Sequence, residues 1–123
     1  MYKTRITAIG EMVPDLLKSG LLVVFNENAP LALQEITVLH TIGSLKQPVK
    51  TGDLILFADQ EYQVTAVGSQ ASQTLLKLGH CTFSFSGKSQ TLNPGWIEVT
   101  GVQKPVLKTG DYFEIRSSGK ERD

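Results

Sequence analysis

The sequence predicts a mainly β fold: a small closed or partly closed β-barrel of about eight short strands, with one or two short helices. Three observations carry that expectation. Short segments of β-branched, aromatic or alternating character recur along the chain, separated by Gly, Pro, Asn and Asp. Only Ser69 to Leu78 combines an apolar helical face with start and stop signals. No strand–helix–strand alternation suggests a parallel sheet.

Taken in order, residues 2 to 9 place Tyr2, Ile6 and Ala8 on one side and charged or hydroxyl residues opposite, the period of an edge strand. Met12, Val13, Leu16 and Leu17 have helical spacing, and Pro14 fits a first helical turn. Leu21 to Asn26 reads as a buried strand. Residues 26 to 30 form a loop, and Leu31, Leu33 and Ile36 lead into a strand ending on His40. Residues 54 to 67 read as a β-hairpin turning at Ala58 to Glu61. In the helix that follows, Ser69 or Ser72 can cap the start and Gly79 the end. Thr82 to Ser86 alternates with Phe83 and Phe85 on one face, Gly95 to Gly101 and Asp111 to Arg116 supply the last strands, and 117–123 is expected to fray. Lys50-Thr51-Gly52-Asp53 returns as Lys108-Thr109-Gly110-Asp111, each just before an apolar strand, which predicts one turn used twice rather than a duplicated domain.

The 123 residues fit a single domain, 1–123, with an ordinary 41% hydrophobic and 20% charged content. Twelve basic residues balance twelve acidic ones, so no overall field draws in nucleic acid. No apolar run exceeds Leu21 to Phe25 in length, which argues against membrane insertion, and no apolar stretch follows the first residues as in a signal peptide. The one cysteine, Cys81, rules out an internal disulfide, and the pattern favours the cytoplasm.

Few motifs carry chemistry. The two K-T-G triplets resemble part of a β-lactamase signature but lack its nucleophile motif. Gly87-Lys88-Ser89 resembles the end of a P-loop, yet Thr82 stands where the leading glycine belongs. His40, His80 and Cys81 lack the spacing of a zinc site, so neither metal nor cofactor is expected. Cys81 reads as a small buried hydrophobe, and Trp96 as a packing residue.

The two histidines remain. A neutral imidazole attacks phosphorus well and forms an N–P bond labile enough to pass the group on. Such a site needs one ring nitrogen open, the other held by a hydrogen bond, and donors for the phosphoryl oxygens. His40 closes its strand beside Thr41, Gly43 and Ser44. His80 follows a helix whose start, at Ser69, favours an anion. Thr41 and Ser69 are therefore candidate phosphate-stabilising residues. Leu39, Ile42, Leu45 and Phe85 could supply a shallow apolar docking surface.

At this point the sequence resembles a known family. F-N-E-N-A-P-L-A-L-Q-E-I-T-V-L-H-T-I-G-S-L (25 to 45), V-T-A-V-G-S (64 to 69), L-x-x-L-G-H-C-T-F-S-F-S-G (75 to 87) and P-G-W-I-E-V-T-G (94 to 101) are similar to the glucitol/sorbitol-specific enzyme IIA component of the bacterial phosphoenolpyruvate-dependent sugar phosphotransferase system. The resemblance implies a cytoplasmic phosphoryl carrier that takes phosphate from the phosphocarrier protein HPr on a histidine. It then donates it to the IIB component of a membrane permease. By the same likeness His40 is the acceptor and His80 matches a second family histidine, with a phosphate-stabilising role as its expected part. The family pattern places a further histidine two residues beyond the acceptor, where this chain has Ile42.

Two other classes compete. A non-catalytic β-barrel module binding a protein or sugar would leave both histidines structural and take no phosphate. A small hydrolase built on Cys81 and a histidine would lose activity on thiol alkylation.

Overall fold

The alternation in Tyr2-Lys3-Thr4-Arg5-Ile6 becomes alternating burial along β1 (Tyr2–Ile9), with Tyr2, Thr4 and Ile6 inside. The computed structural model describes residues 2–91 and 93–118. Seven further strands follow: β2 (Leu21–Asn26), β3 (Thr37–His40), β4 (Leu54–Phe57), β5 (Gln60–Val67), β6 (Cys81–Ser84), β7 (Trp96–Thr100) and β8 (Tyr112–Arg116). They close into one barrel in the order β1-β3-β2-β6-β7-β5-β4-β8, as the sequence led one to expect. The helices are α1 (Val13–Lys18) and α2 (Ala71–Leu78), joined by a third short element, a 3-10 segment at Leu31–Ile36. Of the tail expected to fray, Ser118 donates its N–H to Asp53 Oδ1 at 3.1 Å, and 119–123 lie outside the described residues.

Closure changes two expectations. β1 is not an edge strand, because it pairs antiparallel with β3 on one side and β8 on the other. Two neighbouring pairs are parallel, β2 with β3 and β6 with β7. Their crossovers are loops and the 3-10 segment rather than a regular α-helix, so no helical period marked them in the sequence. The hairpin of β4 and β5 turns where expected, with Phe57 opposite Gln60 and Ala58 at φ 59°. The repeated K-T-G-D is one turn used twice. Gly52 and Gly110 sit at φ 96° and 92°, and each Asp N–H returns to the Lys carbonyl three residues earlier.

The barrel interior is aromatic at its centre. Phe57 and Phe113 stack with ring centres 5.1 Å apart, and Phe83 meets both edge-on. Ile55, Ile97 and Ile115 fill the space around them, all fully buried. Cys81 is buried in the same cluster, and a second, smaller cluster of Phe25, Ala29 and Leu39 lies apart from it.

Helix α2 packs Ala71 and Leu75 against this core. Neither expected serine caps it: Gln70 holds the cap position without a side-chain bond, and Ser72 Oγ instead accepts the Val49 N–H at 2.9 Å. The other end stops as expected. Gly79 adopts φ 63° and its N–H bonds the Leu75 carbonyl, the single bond of an αL ending, while the His80 N–H reaches the Thr74 carbonyl at 3.2 Å. A Cβ on Gly79 would stand 2.0 Å from Asn26 Oδ1 and 2.8 Å from His40 Cε1. Gly79→Ala is accordingly expected to destabilise the fold by about 2–3 kcal/mol, from a disfavoured backbone angle and the collision together. Urea unfolding would measure it, and a loss below roughly 0.5 kcal/mol would show that the turn relaxes freely.

Candidate functional site

The candidate site is the end of the barrel where β2, β3 and the turn after α2 meet. Parallel pairing sets Asn26 of β2 beside His40 of β3, and the chain leaving α2 passes them through Gly79 into His80 and β6. Both histidines thus reach the same backbone turn, but they do so from opposite faces of the sheet.

His40 continues the side of β3 on which Val38 enters the core. Its ring is 0% exposed and lies edge-on to Phe113 at 5.3 Å and to Tyr2 at 6.3 Å. Nδ1 is 2.8 Å from the Thr41 carbonyl oxygen and Nε2 is 2.9 Å from that of Gly79. A neutral imidazole has one N–H, so only one of these contacts is a hydrogen bond unless the ring is charged. Burial pushes the His40 pKa below its ordinary value, against the two carbonyls and the Glu27 charge, which raise it.

His80 lies on the other face. Its neighbour Cys81 points into the core, so the His80 ring points outward, half-buried, onto Phe25 with centres 4.8 Å apart and planes at 31°. Nδ1–H donates to the Val24 carbonyl at 3.2 Å, which leaves the lone pair on Nε2. That nitrogen makes no hydrogen bond among the described residues and is not sealed from solvent. Phe25, Ala29 and Leu39 pack beside it with Ala8 and Leu33, and Leu78 is exposed at the helix end.

The other candidates separate. Thr41 stays at the site: its carbonyl faces His40 and its Oγ1 accepts the Arg5 N–H at 2.9 Å. Ser69 sits before the opposite end of α2, about 12 Å of helix away, beside a groove lined by Leu45, Pro48, Ser72 and Leu76. The expected apolar surface does not form as one patch. Leu39 packs on Phe25, Leu45 enters the main core, Phe85 meets the Tyr62 ring at 5.1 Å, and Ile42 stands exposed. Sequence reasoning missed Val24, Phe25 and Asn26, which only the pairing of β2 with β3 and β6 brings here.

Two buried oxygens at this end have no hydrogen-bond partner among the described residues, Tyr2 Oη and Asn26 Oδ1. Burial and the nearby Cys81 hold the Tyr2 hydroxyl protonated, its pKa raised to about 12. Burial likewise pushes the Cys81 thiol far up, which removes the thiolate a Cys–His hydrolase requires. Among the described residues no three His, Cys, Asp or Glu side chains are placed to hold a metal ion, and no helix is long and apolar enough to cross a membrane.

The lowered pKa of His40 has a thermodynamic sign. The unfolded chain binds this proton more tightly than the folded one, so acid favours unfolding. The stabilising contribution is complete above the unfolded value of about 6.5 and is lost as pH falls below it. The stability gap between wild type and His40→Gln should therefore narrow between about pH 7.5 and 5.5 in urea titrations. A gap that widened on acidification would mean that the buried ring is the cation.

The comparisons with known proteins agree with this architecture. The family model described as "PTS system glucitol/sorbitol-specific IIA component" matches residues 1–114. The chain is 35% identical over 117 residues to the glucitol/sorbitol-specific EIIA component of Shigella flexneri, covering 95% of each protein. The corresponding component of Escherichia coli (strain K12) gives the same 35% over 117 residues. The crystal structure of a PTS system IIA component from Enterococcus faecalis V583 shares the fold, with a TM-score of 0.80 over 95% of this chain and 100% of that one at 23% identity. By sequence over nearly its whole length, this chain belongs to the glucitol/sorbitol-specific IIA component family of the sugar phosphotransferase system.

Proposed function

We propose that this protein is a cytoplasmic phosphoryl carrier that takes a phosphoryl group from HPr on a histidine and passes it to the IIB component of a glucitol/sorbitol permease. The observation that carries this reading is the meeting of the chain's only two imidazoles at one backbone turn, Gly79. Each of the two ring environments supports part of the chemistry.

Phosphoryl transfer between two proteins needs an unprotonated ring nitrogen aimed along the line of the breaking bond. His40, the acceptor nominated by the family likeness, has the right protonation: burial favours its neutral form. In that form one of its nitrogens faces a carbonyl with a lone pair rather than a proton, a contact that favours any electrophile at that atom. To reach phosphorus, Nε2 must part from the Gly79 carbonyl, so the turn at the end of α2 has to swing aside. Thr41 remains the nearby hydroxyl for a phosphoryl oxygen, since its Oγ1 accepts from Arg5 and its own proton is free to donate. Ser69, a helix length away, takes no part in this reading.

The test is phosphoryl transfer from phosphoenolpyruvate through purified enzyme I and HPr, followed by intact mass at mildly alkaline pH, where phosphohistidine survives. Folded wild type is expected to gain one phosphoryl group and to lose it on adding the IIB component. Cys81→Ser should do the same, and native Cys81 should resist iodoacetamide until the protein is unfolded. Folded wild type that takes no label from HPr of the same source would end the carrier reading in favour of a binding module.

A further inference from the structure

Resting on that carrier reading, we propose that Asn26 is a further phosphate-binding residue: when the Gly79 turn leaves His40, the Asn26 amide turns about its Cβ–Cγ bond and donates from Nδ2 to the phosphoryl group. Asn26 is only 8% exposed and is paired in register with His40 across β2 and β3. Its Oδ1 is one of the two buried oxygens without a hydrogen-bond partner among the described residues. The other belongs to Tyr2, whose ring lies beside Gly43. Asn26 Oδ1 lies instead at Gly79, whose carbonyl faces His40 Nε2 at 2.9 Å.

The amide is placed for this and committed to nothing else. A Cβ built on Gly79 would come within 2.0 Å of Asn26 Oδ1 and 2.8 Å of His40 Cε1, so the amide and the ring edge between the two nitrogens border one small space. Carbon-bound hydrogens of the glycine and the ring line that space in the unphosphorylated protein, and an oxygen suits them better than an N–H pair does. Nδ2 makes no hydrogen bond among the described residues either, and unlike Oδ1 it is not sealed from solvent. Turning the amide therefore breaks no hydrogen bond.

A phosphoryl group on Nε2 brings negative oxygens to a place where a carbonyl oxygen now stands, so acceptors there have to give way to donors. The turn has none to spare. The Gly79 N–H is used on Leu75 and the His80 N–H on Thr74. Asn26 carries two N–H donors on Nδ2 and brings them to this side of the ring once the amide turns. The step itself needs no further reactant. The Nε2 lone pair bonds phosphorus as the donor's N–P bond breaks, and that electron pair returns to the donor imidazole. The Nδ1 proton stays on the ring facing the Thr41 carbonyl, and both Nδ2 protons stay on Asn26.

The chain has three asparagines, Asn26, Asn28 and Asn93, so the side-chain N–H pairs of ¹³C,¹⁵N-labelled protein are readily assigned. On phosphorylation through enzyme I and HPr, an Asn26 side-chain proton is expected to shift downfield further than any proton of the other two pairs. In parallel, the equilibrium of phosphoryl exchange between HPr and folded Asn26→Ala should move about tenfold towards HPr. Asn26→Asp, which keeps the shape but has no N–H and adds a negative charge, should move it further. A merely structural amide would leave this equilibrium where it is. An unmoved Asn26 pair in fully phosphorylated wild type, or a wild-type equilibrium in folded Asn26→Ala, would overturn the assignment and leave the carrier function standing. Wild type without any label would end both.

Discussion

Gly79 has no room for a side chain, and the placing of both histidines follows from that. Helix α2 must end abruptly so that the chain can return antiparallel to β2 as β6. A left-handed residue does this in one step, and glycine adopts φ 63° without the penalty a Cβ brings. The same turn directs the Gly79 carbonyl at His40 Nε2 and brings the glycine so near Asn26 that any Cβ would collide with its side chain. Through one residue, the packing of α2 on the core and the orientation of both imidazoles become a single constraint.

That constraint leaves polar groups incompletely satisfied at this end of the barrel. Asn26 Oδ1 and Tyr2 Oη are buried without partners among the described residues, and each such group costs about 1–3 kcal/mol relative to a bonded one. His40 adds to the deficit, since one proton serves two carbonyls while the ring is neutral. Elsewhere the barrel satisfies its buried charges. Asp53 accepts from the backbone N–H groups of Lys50 and Ser118, and Glu98 accepts from the Ser86 hydroxyl at 2.5 Å. The unsatisfied groups thus gather around His40 and Gly79, the place where the structure has least to lose by rearranging.

What the sequence revealed was local. The β4–β5 hairpin, the glycine stop of α2 and the repeated K-T-G-D turns depend on residues near one another, and all three stand as read. Non-local outcomes were not legible. A strand ending on His40 beside Thr41 and Gly43 looked like an accessible terminus, yet in a closed barrel the ring points inward and segments from other strands cover it. Ser72 looked like a helix cap, but Val49 from a distant loop claims its oxygen. The Val24 carbonyl and the Phe25 ring reach His80 only because β2 and β6 pair in one register, which no period in either segment specifies.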